Sequence, residues 1–133
     1  MNRRLVAAAA LLLTASVAPL AASEKGPIPV RSGVPTVVLS YASYDRESCL
    51  FQALPRLKIR QAPAHGSVVA GKSAHAIDTG SCAGKVMKSA GLQYRSKPGY
   101  RGPDVIVVEV ESEVYTDGTG IWGDTVTLRL DVK

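Results

Sequence analysis

Downstream of residue 22 the chain has no apolar run approaching the roughly 20 residues that a membrane-spanning helix needs, so no spanning segment is expected there. Cysteine is scarce, with two residues and no Cys-x-x-Cys pair, which removes thioredoxin-type redox chemistry. No Gly-x-Ser-x-Gly elbow occurs, which removes the signature of a nucleophile-elbow hydrolase. No window of about twelve residues carries a helical apolar stripe, and no repeat of roughly 20 to 50 residues is visible, so helical bundles and solenoid arrays are both excluded. Flat aromatic faces are few as well. Only Trp122 and Tyr100 stand near loops, too thin a platform for single-stranded nucleic acid.

What is present begins with the first residues. Two arginines, Arg3 and Arg4, precede sixteen uncharged residues from Leu5 to Leu20, and small residues follow at Ala21, Ala22 and Ser23. That order of basic, apolar and small segments is the pattern of a secretory signal peptide, expected over residues 1–22. A mobile arm is expected over residues 23–33, where Pro and Gly occur without periodicity, and one folded domain over residues 34–133. An exported chain meets an oxidising compartment, so Cys49 and Cys82 are expected to form a disulfide. The chain-entropy model values the closed loop at about 3.5 to 4 kcal/mol.

Period-two alternation recurs along the domain. Val37, Leu39 and Tyr41 share one face, Leu57 and Ile59 oppose Lys58 and Arg60, and Leu92 and Tyr94 oppose Gln93 and Arg95. The clearest strand is "DTVTLRLDVK", with Val126, Leu128, Leu130 and Val132 on one side. Val105 to Val108 is apolar on both parities, as in a strand covered on two faces, before Glu109, Glu111 and Glu113 occupy one face alone. Asp-Gly within Thr116 to Gly120 supplies a turn. One short helical turn is expected within Tyr44 to Leu54. The sum is an all-β domain, a single immunoglobulin-like sandwich of about seven antiparallel strands.

Charge is unevenly distributed. Between Arg56 and Arg101 nine basic residues face one acid, Asp78, whereas between Asp104 and Asp131 seven acids face one base, Arg129. Lys58, Arg60, Arg95, Lys97 and Arg101 form a candidate basic patch able to attract an anionic polymer. The competing arrangement pairs Lys58, Arg60 or Arg95 across strands with Glu109, Glu111 and Glu113.

Three motifs invite chemistry. "GSVVAGKS", Gly66 to Ser73, satisfies the phosphate-loop formula, but "QAPAH" precedes it where a buried strand should end, and Gly80 interrupts any following helix. A hairpin with its turn near "AGK" is expected instead. His65, His75, Cys49 and Cys82 lack the short ligand spacings of a zinc site, and no metal or cofactor is expected. His65 or His75 beside Asp78, a serine or the cysteines could serve a small exported hydrolase or metal-dependent enzyme, the alternative function, if the fold brought these groups into one cleft.

"LQYRSKPGYRGPDVIVVEVES" contains Tyr94, Gly99, Tyr100, Gly102 and Asp104 as Tyr-x4-Gly-Tyr-x-Gly-x-Asp. Gly99 and Gly102 permit backbone angles closed to other residues, Pro98 fixes one, and Asp104 can cap a tight turn. This pattern, with "APAHGSVV" before it and "DTVTLRLDV" after it, resembles the cadherin-like, immunoglobulin-like repeats of bacterial surface and secreted proteins. The resemblance implies a periplasmic or secreted binding or structural module without catalytic residues. Its expected partner is a protein or an anionic envelope polymer, with neither a membrane span nor nucleic acid.

Overall fold

In the computed structural model, which describes residues 23–114 and 120–133, seven strands form two sheets. They are β1 (Ser23–Val30), β2 (Thr36–Tyr41), β3 (Arg56–Gln61), β4 (Gly66–Ala76), β5 (Val86–Ser96), β6 (Gly102–Val114) and β7 (Gly120–Val132). One sheet has the order β1-β7-β6-β3, and the other β2-β5-β4. With β2, β5 and β4 as strands B, E and D, and β7, β6 and β3 as G, F and C, this is the partition of an immunoglobulin-type sandwich whose first strand joins the GFC sheet. The expected leader and residues 116–119 of the expected turn lie outside the described residues, as does the side chain of Trp122.

The core follows the alternation. Leu92 and Tyr94 on β5, Ile106, Val108 and Val110 on β6, and Val126, Leu128, Leu130 and Val132 on β7 are all buried between the sheets. Each such aliphatic side chain contributes about 1.5 to 3 kcal/mol on burial. Val105 and Val107 lie on the opposite face of β6 and are only half-buried, so this central strand is fully covered on one side alone. A smaller cluster of Ile77, Cys82 and Met87 packs with Ala42, Tyr44 and Cys49 where β2 ends and β4 turns into β5.

Five further expectations need correction. Residues 23–30, expected as a mobile arm, form β1, and they pair with β7 in parallel, so the strands are not all antiparallel. Its Pro27 and Pro29 are tolerated because β1 is an edge strand with neighbours on one side only. On β2 the register shifts between Val37 and Leu39, so Val38 and Leu39 are both buried and Val37 is 51% exposed. The Gly66–Ser73 segment lies wholly inside β4, with Gly71 opposite Gly91 and Lys72 opposite Ala90. The chain reverses later, over residues 77–85, where Gly84 N–H donates to Ile77 O at 2.8 Å. An antiparallel strand at Lys72 leaves no helix N-terminus to meet phosphate. Finally, Tyr44 to Leu54 holds a single turn at residues 46–48 rather than a helix.

Candidate functional site

The β5–β6 corner is organised around one buried carboxylate. Asp104 is 4% exposed. Its Oδ1 accepts the N–H groups of Ala64 at 2.9 Å and Val105 at 3.0 Å, while its Oδ2 accepts His65 N–H at 3.0 Å and the Tyr94 hydroxyl at 2.8 Å. Four donors satisfy a charge that would otherwise be costly to bury. Burial first, then the Asp104 hydrogen bond, pushes the Tyr94 phenol well above its ordinary pKa. Tyr100 donates to Pro103 O at 2.5 Å, and Gly99 and Gly102 take φ of 83° and 130°. A Cβ on Gly102 would also lie 3.1 Å from the Tyr100 hydroxyl. Through these contacts Tyr94, Gly99, Tyr100, Gly102 and Asp104 act together to turn the chain and aim β6 into the core.

The candidate basic patch divides. Lys58 donates to Glu111 at 2.6 Å and Arg60 to Glu109, both across the β3–β6 ladder. The Lys58 hydrogen bond is the leading cause that lowers the Glu111 carboxyl below its usual range. Arg95 takes a different course: its Nε donates to Gly33 O at 2.8 Å. Gly33 N–H in turn donates to Ser96 Oγ at 2.9 Å, and Gly33 lies against Pro98. This docking brings Arg31 to the same end of the sandwich as Arg95, Lys97 and Arg101. All four are exposed, and none has a carboxylate partner among the described residues. His65 stacks on Tyr100 beside them, with ring centroids 4.1 Å apart and planes 5° from parallel. Nothing in the sequence marks Arg31 as a member of this set, because it sits in an aperiodic segment containing Pro and Gly.

At the opposite end, Cys49 and Cys82 are joined in a disulfide. Both sulfurs are thereby unavailable as thiolate ligands, and no group of three or more metal-binding side chains occurs among the described residues. His65 and His75 lie at opposite ends of β4, about 33 Å apart along an extended strand, and cannot share a site. No hydrogen bond joins His75 to Asp78 among the described residues.

The disulfide-side loop is shaped by Asp45. Its Oδ1 accepts the N–H groups of Glu47 and Ser48 and the Ser48 hydroxyl, at 3.0, 2.7 and 2.8 Å. The Ser48 backbone bond is the main reason that this carboxyl sits below its usual pKa. Cys49 closes the turn at φ 57°, a left-handed conformation uncommon for a residue with a side chain. Beside the turn lies a groove of about 390 Å³ whose lining includes Tyr41, Ser43, Tyr44, Arg46, Gln52 and Ser112. Arg46 and Tyr44 also line an adjoining hollow with Thr79, Gly80, Ser81 and Cys82. No sequence signal marks Arg46, Gln52 or Ser112, because separate segments bring them together. No protein-family model, curated protein or solved structure matches this chain.

Proposed function

We propose that this chain is an exported, non-catalytic binding module of the bacterial envelope or extracellular space, whose corner end recognises an anionic glycan polymer. The observation that carries the reading is the set of Arg31, Arg95, Lys97 and Arg101, four exposed cations without carboxylate partners among the described residues, on a corner made rigid by Asp104. A fixed constellation of like charge repels itself and is relieved by a polyanion, an attraction that falls as salt screens it. The stacked His65–Tyr100 pair adds a flat surface beside the charges. Lys58 and Arg60, neutralised by Glu111 and Glu109, stand outside this site.

The test is binding of the protein to polygalacturonate across a salt series, compared with an Arg31→Gln, Lys97→Gln, Arg101→Gln triple variant. Arg95 is left intact because it also ties down Gly33. Wild-type affinity should fall steeply with salt, and the triple variant should bind at least about tenfold more weakly at low salt. Equal affinity of the two proteins, or binding indifferent to salt, refutes the reading. An acidic protein captured in place of the glycan refutes the glycan assignment.

A further inference from the structure

We propose a second binding site in the groove at the disulfide end, one that takes the carboxylate-bearing unit of an acidic saccharide. Its volume, about 390 Å³, lies in the range of small-ligand sites. Its lining offers hydroxyl and amide groups that can donate or accept, and one guanidinium that only donates. Arg46 lines both this groove and the adjoining hollow, and its side chain makes no ion pair among the described residues. The planar guanidinium matches a carboxylate in two parallel hydrogen bonds. Gln52 has its Oε1 engaged by the Ser43 hydroxyl at 3.2 Å, which leaves the amide NH2 to donate.

The independent indication is Ser112. It is 5% exposed and lines the groove, and its buried Oγ has no hydrogen-bond partner among the described residues. A buried hydroxyl without a partner is disfavoured in a folded protein and gains on meeting a ligand oxygen. Arg46, Gln52 and Ser112 thus combine one charge-matching fork with two neutral donors, which suits a sugar ring bearing a carboxylate and hydroxyls. Tyr44 adds an aromatic wall. Burial first, then the charge of Asp124, raises the Tyr41 phenol's pKa, so an acidic ligand group is repelled at that end and belongs at the Arg46 end.

This site is built from different residues and at the other end of the sandwich from the cationic corner, so the two stand or fall separately. D-galacturonate, D-galactose and acetate would each be titrated into the full chain while amide resonances are followed by NMR. Galacturonate should shift the amides of Tyr44, Arg46, Gln52 and Ser112 and bind more tightly than either galactose or acetate. Arg46→Gln should weaken it by about tenfold or more, the loss of a charge-assisted contact. That substitution leaves in place the backbone carbonyl of Arg46, which accepts the Ser81 hydroxyl at 2.7 Å. Ser112→Ala should weaken binding with no loss of melting temperature, since the hydroxyl makes no internal bond among the described residues. The triple variant of the corner should bind galacturonate as the wild type does. No shift at millimolar galacturonate, equal binding by Arg46→Gln, or equal binding of galactose or acetate overturns the proposal.

Discussion

The two ends of the sandwich are held by different means. At the corner end one carboxylate, Asp104, gathers four donors, and the glycine-rich turn is fixed without a covalent link. At the other end the loops after β2 and β4 share a small apolar cluster and the Ser81–Arg46 hydrogen bond, and the Cys49–Cys82 bond joins them. The difference teaches that a turn rich in glycine and proline can be held by hydrogen bonds alone when they all meet on one buried carboxylate. Loops with few apolar residues to bury gain from a cross-link.

That contrast can be broken most sharply at Asp104. Asp104→Ala removes the acceptor of the Ala64, His65 and Val105 N–H groups and of the Tyr94 hydroxyl, and should cost at least about 4 kcal/mol in urea unfolding. A loss under about 1 kcal/mol would mean that water replaces the carboxylate and that the corner is not its work. Replacing both cysteines by alanine should cost less, about 2 to 4 kcal/mol. Amide exchange should then quicken around Asp45 and Ile77 while Ala64 and His65 stay protected, because the corner does not depend on the bridge. Uniform loss of protection would show the two ends to be one cooperative unit.

The smallest effect isolates one donor. Tyr94→Phe removes the hydroxyl from Asp104 and should cost about 1.5 kcal/mol at neutral pH. A phenol whose folded pKa is raised contributes stability in full below the ordinary value of about 10, and loses it as pH rises beyond that. Wild-type stability should therefore fall faster than that of Tyr94→Phe above about pH 10, as read by the denaturation midpoint. Parallel curves would remove Tyr94 as the titrating group.

Legibility in the sequence tracks local regularity. β6 and β7 announce themselves through alternation because one face of each is buried along its described length, as at Val126, Leu128, Leu130 and Val132, and β5 does so over Leu92 to Ser96. β1 is hidden because an edge strand accepts Pro27 and Pro29, residues that usually speak against a strand. Gly71 has the look of a turn residue, whereas it lies opposite Gly91 in mid-ladder, a fact of cross-strand register that one segment cannot display. The cross-strand partners of Lys58 and Arg60 are foreseeable from alternating charge, but the partner of Arg95 is not, since Gly33 is brought to it by the folding back of residues 31–34. Ser112 is hidden among glutamates; its parity places it on the core face, and only the absence of a partner among the described residues singles it out.

The parallel pairing of β1 with β7 has a mechanical consequence. Ser23 lies beside Val126 and Val30 beside Val132, and Lys133 N–H donates to Val30 O while Ser32 N–H donates to Lys133 O. Tension applied between Ser23 and Lys133 therefore runs along this ladder, so its rungs share the load in shear instead of opening one after another like a zip.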